Sequence, residues 1–93
     1  MNVRKIRKFV AKLWSGEEVE NITLNSKGCT ATITLASEYG PPGLSFSQLK
    51  KLSKFFGTEN INDDDRFSEV GCETCDYGSS YGFTLTIREI TKL

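Results

Sequence analysis

The chain contains no histidine, and this absence narrows its chemistry more than any other feature of the composition. Histidine is the usual general base at neutral pH, the partner of most catalytic nucleophiles and a ligand in most catalytic zinc sites. The sequence also has no glycine-rich phosphate loop before a helix and no paired carboxylates on a defined scaffold. We therefore expect a binding protein and not an enzyme.

Cysteines and long apolar runs are also scarce. The three cysteines leave one unpaired if an intramolecular disulfide forms, and the first residues lack the apolar core of a secretory signal. No apolar run approaches the roughly 20 residues that span a bilayer. These features favour a reducing, cytoplasmic compartment and no membrane partner.

The charges cancel overall but are unevenly distributed along the 93 residues, a length that fits a single domain over 1–93. Residues 1–14 carry five basic side chains and no acid, whereas residues 59–76 carry seven acids and one arginine. Two interpretations are open. The two stretches form solvated faces that attract each other, or they form two partner surfaces, one suited to polyanions and one to a basic groove.

Hydrophobic periodicity predicts six elements. Apolar residues at three- and four-residue steps indicate helices, and strict alternation with threonine indicates strands. The predicted order is a helix over 2–14, strands over 20–26 and 29–37, a helix over 45–56, and strands over 66–75 and 80–90. We expect an α+β two-layer sandwich, with two helices on one face of a four-stranded, mainly antiparallel sheet. The two consecutive α-β-β units hint at a pseudo-repeat, but residue identity between the halves is too weak to establish one.

Local signals mark the ends of these elements. Asn2 is a predicted N-cap, Ser45 and Gln48 form a predicted capping box, and Gly57 is a predicted C-cap. The pattern also places Cys29 on the buried face of the second strand, after a turn in which Gly28 supplies a positive φ. Phe46 is assigned to the apolar face of the second helix.

An acidic run, Asn-Asp-Asp-Asp at residues 62–65, predicts a turn before the third strand. The run fails as an EF-hand loop because the third ligand position is Arg66, where an oxygen ligand is required. It is either a solvated acidic turn or an acidic patch for a partner.

Cys72 and Cys75 stand at the spacing of metal ligands within a glycine-rich turn. Three interpretations remain open: a structural turn, half of a zinc site that a second copy would complete, and a redox pair. The redox interpretation is the weakest, because the neighbouring Glu73 and Asp76 disfavour a thiolate.

Residues 71–79, Gly-Cys-Glu-Thr-Cys-Asp-Tyr-Gly-Ser, resemble a turn in a set of small uncharacterised bacteriophage and prophage proteins. In those proteins a Cys-x-x-Cys-x-Tyr-Gly-Ser turn precedes a final alternating strand, and the resemblance covers about residues 44–88. It implies an early or accessory phage protein that acts in the cytoplasm of a bacterial host. Proteins of this size and origin often inhibit host defence nucleases or bind a host enzyme.

The first functional hypothesis is therefore a protein-binding inhibitor of a host defence protein, such as an anti-CRISPR protein. Its acidic loop would occupy a basic surface on a protein that handles nucleic acid. The predicted contact residues are Asp63, Asp64, Asp65, Glu69, Glu73, Asp76, Tyr77 and Tyr81.

The second hypothesis is a nucleic-acid-binding accessory protein that uses the basic faces of both helices. Its predicted contact residues are Arg4, Lys5, Arg7, Lys8, Lys50, Lys51 and Lys54. Net neutrality and the expected lack of exposed aromatic rings beside these residues count against it. A third hypothesis is a small-ligand sponge at a dimer interface around Tyr77 and Tyr81, or a homodimer joined by zinc through Cys72 and Cys75.

Overall fold

A computed structural model describes residues 2–15, 18–37, 43–69 and 79–92, and gives the backbone alone at 37, 64–69 and 79–81. In chain order the elements are α1 (Val3–Leu13), β1 (Glu18–Asn25), β2 (Thr30–Ser37), α2 (Phe46–Phe56), β3 (Ile61–Glu69) and β4 (Ser79–Ile87). The predicted α+β class and element order are confirmed.

The four strands form one antiparallel sheet in the order β1-β2-β4-β3. Its register places apolar residues opposite one another, as in the row formed by Ile22, Ile33 and Leu85. The neighbouring row, Thr23, Thr32 and Thr86, lies on the other face because strand side chains alternate. The sheet therefore has one apolar face and one threonine-rich face.

The core lies between the apolar sheet face and both helices. From the helices, Ile6, Val10, Leu52 and Phe56 are fully buried in it. The sheet and the segments next to the elements contribute Trp14, Ile22, Ala31, Ile33, Leu35, Phe83, Leu85, Ile87 and Ile90. Because one cluster contains residues of both helices, the two helices cover the same face, and the predicted two-layer sandwich is confirmed.

The predicted helix caps are present. The Asn2 side chain accepts a hydrogen bond from the Lys5 backbone N–H at 2.9 Å. Ser45 and Gln48 exchange the two hydrogen bonds of a capping box, at 2.8 and 3.2 Å. Gly57 ends α2 in the left-handed conformation with φ of 71°.

The two helices lie side by side and run in opposite directions. Gln48, near the start of α2, donates a side-chain hydrogen bond to the carbonyl of Leu13 at the end of α1, at 3.1 Å. The rings of Phe9 and Phe55 stack between the helices, with centroids 4.1 Å apart and planes 6° from parallel. The helix layer is therefore continuous across both helices.

The two αββ units share one spacing from the start of the helix to the start of the first strand. The N-caps Asn2 and Ser45, the C-caps Trp14 and Gly57, and the first strand residues Glu18 and Ile61 are each 43 residues apart. The second strands depart from this spacing, since Thr30 and Ser79, the first residues of β2 and β4, are 49 residues apart. Helix residues 43 apart can thus be compared as equivalent positions.

The acidic run at 62–65 lies in a strand, so the prediction of an acidic loop was wrong. Strand β3 begins at Ile61 and pairs without interruption with β4 as far as Glu69 opposite Ser79. Aspartate is disfavoured in strands, but backbone pairing with β4 and a position at the sheet edge, where charged residues are common, offset that preference. The predicted strand at 66–75 therefore starts earlier, and its end falls outside the described residues.

The turn between β1 and β2 also differs from the prediction. Cys29 precedes the strand and has a positive φ of 51°, while Gly28 does not adopt the left-handed conformation. Gly28 is held instead by hydrogen bonds from its N–H to the Asn25 side chain and from the Thr30 hydroxyl to its carbonyl. Cys29 is half-buried against the core and is not an inward-facing strand residue.

Candidate nucleic-acid interface

The helix layer collects two-thirds of the chain's positive charge on one side of the molecule. Both helices lack acidic residues, and all of their lysines and arginines are exposed. These residues are Arg4, Lys5, Arg7, Lys8, Lys12, Lys50, Lys51 and Lys54. The structure therefore brings together the whole basic set predicted from the sequence, and adds Lys12.

This segregation follows from the helical period. In each helix the apolar side chains recur every three or four residues and face the sheet, so the residues between them face solvent. The adjacent placement of α1 and α2 then combines two basic faces into one. Lys8 of α1 and Lys51 of α2 occupy equivalent positions 43 residues apart, as do Arg7 and Lys50.

The outer flank of α1, which faces away from α2, is closed by β1. Ile6 and Val10 are fully buried there, and Val19 of β1 packs against the same core. The Arg7 guanidinium donates a hydrogen bond to the Val19 carbonyl at 3.0 Å, next to a register shift in β1. Arg7 thus spans the gap between helix and strand.

None of the described side chains closes the outer flank of α2, and Phe46 lies exposed in it. This ring is 74% exposed, so its assignment to the buried face of the helix was wrong. Residues advance about 100° each around a helix, so Phe46 lies about 120° from the buried Leu52. The predicted absence of exposed aromatic rings beside basic residues was also wrong, because Lys50 Nζ lies 5.5 Å from the centre of the Phe46 ring.

A shallow groove of about 690 Å³ runs along this flank of α2. Among the described residues, its lining consists of Phe46, Leu49, Ser53, three lysines and Glu59. The lysines are Lys50, Lys51 and Lys54. The groove therefore combines an exposed aromatic ring with a basic rim that continues into the helix layer.

The acidic residues predicted to contact a partner are divided between the described and undescribed parts of the chain. Asp63 is exposed on edge strand β3, and its partner in β4 is Leu85. Asp64, Asp65 and Glu69 follow in the same strand, and Tyr81 of β4 pairs with Phe67. The remaining predicted contacts, Glu73, Asp76 and Tyr77, lie outside the described residues.

The predicted zinc ligands Cys72 and Cys75 lie outside the described residues as well, so the zinc site stays a prediction. Within the part of the chain that is described, no group of three or more Cys, Asp or Glu side chains is placed to hold a metal ion. Among the same residues, no helix has the length and apolar character required to cross a membrane.

A scan against protein-family models and searches of curated proteins and of solved structures found no match to this chain.

Proposed function

We propose that the protein binds nucleic acid through its helix layer. The observation that carries this proposal is the side-by-side packing of α1 and α2, which presents eight exposed cations and no helical acid on one surface. Lysine and arginine side chains on such a surface displace the counterions of a phosphate backbone, and this release provides most of the affinity of non-sequence-specific binding.

A membrane surface is a weaker target for the same helices. A basic amphipathic helix binds a bilayer by burying its apolar face among the lipids. Here the apolar faces of both helices already form the protein core, with Ile6, Val10, Leu52 and Phe56 fully buried. Insertion would require the sandwich to open, whereas phosphate binding uses only side chains that are already exposed.

The proposal predicts binding that weakens steeply with salt. Fluorescence anisotropy with labelled single-stranded and duplex oligonucleotides should show binding at about 50 mM salt, with log K falling linearly against log salt concentration. The paired substitution Lys8→Gln and Lys51→Gln removes one cation from each helix at equivalent positions. It should reduce the steepness of that slope by about 1.4 for single strands and about 1.8 for duplexes.

The matched control removes two cations outside the helix layer, Lys27 in the β1–β2 turn and Arg88 after β4, both exposed. Lys27→Gln with Arg88→Gln should leave the salt slope close to that of the wild type. An equal loss in this control would place the contact surface elsewhere. Failure of the wild type to bind either oligonucleotide at about 50 mM salt would refute the proposal.

The second candidate function is the protein-binding inhibitor expected from the sequence, a phage-type protein directed at a host defence component. What favours it is the position of the acidic run on the edge strand β3. An edge strand offers backbone groups for pairing with another chain, and the exposed Asp63 carboxylate would attract a basic partner. In this candidate the contact is an acidic strand and not the acidic loop originally predicted.

A further inference from the structure

We propose that the groove on the outer flank of α2 is a stacking site for an unpaired base of single-stranded nucleic acid, with Phe46 as the platform. This inference rests on the proposed function and specifies its substrate class. An aromatic ring beside lysines is the combination by which proteins bind single strands: the cations follow the backbone, and each base has a face that can stack.

The exposure of Phe46 has no structural use that the described residues reveal. A phenylalanine gains stability by removing its ring from water, yet this ring remains 74% exposed on the first residue of α2. Among the described side chains, its one ring interaction is a cation–π contact with Lys50, whose Nζ lies 5.5 Å from the ring centre. That contact holds a positive charge beside a ring that is open to a ligand.

Within the described parts of the two αββ units, the open flank is specific to the second unit. The residue equivalent to Phe46 is Val3, a smaller side chain, and the residue equivalent to Lys50 is Arg7. In the first unit Arg7 donates a hydrogen bond to the Val19 carbonyl. Ile6 and Val10, the equivalents of Leu49 and Ser53, are fully buried there. In the second unit those positions are half-buried and line the groove.

The composition of the groove favours nucleic acid over a second copy of this chain or an acidic peptide. A second copy docking α2 against α2 would bring two sets of three lysines together, and like charges oppose that contact. An acidic peptide with one apolar anchor residue would match the groove but not the cations beyond it. A single strand would match the groove and also the cations that continue over α2 and α1, because its charges repeat along its length.

The test compares oligo(dT) with an abasic strand of the same length, which has the same phosphates and no bases. Wild-type protein should bind oligo(dT) about tenfold more tightly than the abasic strand, measured by anisotropy at low salt. Phe46→Ala should lose that preference and bind both strands like the abasic one, while Phe46→Trp retains it. The matched control, Val3→Ala at the equivalent position of α1, should behave as wild type.

The outcomes separate this inference from the proposed function. Equal binding of oligo(dT) by Phe46→Ala and wild type, with the lysine-dependent salt slope intact, would overturn the stacking site and leave the basic surface in place. No binding of any strand would overturn both. A third outcome uses a peptide in which glutamates flank a leucine. If the wild type binds this peptide but no oligonucleotide, and Phe46→Ala loses the peptide, the inference is overturned and the groove belongs to a protein partner. Circular dichroism of each variant confirms that the fold is unchanged.

Discussion

Gly57 is constrained both by its backbone conformation and by its neighbours. It ends α2 with φ of 71°, a region that residues with a Cβ rarely adopt. A Cβ at this position would also collide with the Thr91 hydroxyl oxygen, which donates a hydrogen bond to the Gly57 carbonyl. The backbone of Thr91 donates to Phe56 as well, so the end of the chain closes the end of α2.

Gly57→Ala should therefore lower the free energy of unfolding by about 1–3 kcal/mol, since it combines left-handed strain with the displacement of Thr91. Urea denaturation followed by circular dichroism measures this change. Gly43→Ala is the control, because Gly43 has no positive φ and a Cβ there meets no atom within 4 Å. The control should stay within about 0.5 kcal/mol of wild type. Equal effects of the two substitutions would contradict this account of α2 capping.

At the residue scale, the sequence predicts local conformations that depend only on neighbours within about four residues along the chain. The caps at Asn2, Ser45 and Gly57 were predicted because each depends on side chains or backbone within four residues. The conformation of Cys29 was not predictable, since it depends on the register of the β1–β2 hairpin. The exposure of Phe46 was only partly predictable: its helical angle indicates the margin of the apolar stripe, but only the tertiary structure shows that this margin is uncovered.

At the element scale, both helices and the strands β1, β2 and β4 were predicted to within a few residues, because their apolar periods are regular. Strand β3 was the exception. The four residues after Ile61, Asn-Asp-Asp-Asp, have little strand propensity, and the strand exists through pairing with β4. Sequence patterns do not contain that long-range term, so the acidic run was predicted as a turn.

The edge position of β3 gives the inhibitor hypothesis a sharper test than an acidic loop would. Replacing Asp63, Asp64 and Asp65 by Ser keeps the strand and removes its charge. If the inhibitor hypothesis is correct, the wild-type protein should retain a nucleic-acid-handling protein from bacterial lysate, and this variant should not. Mass spectrometry identifies the retained proteins. Glu18→Ser with Glu20→Ser, two exposed acids on the opposite edge strand β1, is the control and should retain it. Retention of the same proteins by the aspartate variant would exclude the acidic strand as the contact.

At the scale of the whole molecule, charges that cancel in the total are grouped by element, although Asp63, opposite the buried Leu85, shares the sheet face that the helices cover. The net charge is zero, yet the helix layer holds eight cations and the edge strand β3 holds a run of acids. The sequence predicts the two stretches, because each is basic or acidic along its length. It also predicts that both helices cover one face of the sheet, and the Phe9–Phe55 stack and the Gln48 hydrogen bond show that they are in direct contact. That adjacency makes one extended surface out of two helices.

Amide NMR of isotope-labelled protein titrated with oligo(dT) shows whether the helix layer contacts nucleic acid. We predict that the largest shift changes fall in α1 and α2, with the strongest near Phe46 and Lys50. The amides of the threonine-rich sheet face, such as Thr32 and Thr84, should change little. Shift changes concentrated on that sheet face or on β3, or no changes at low salt, would refute nucleic-acid binding by the helix layer.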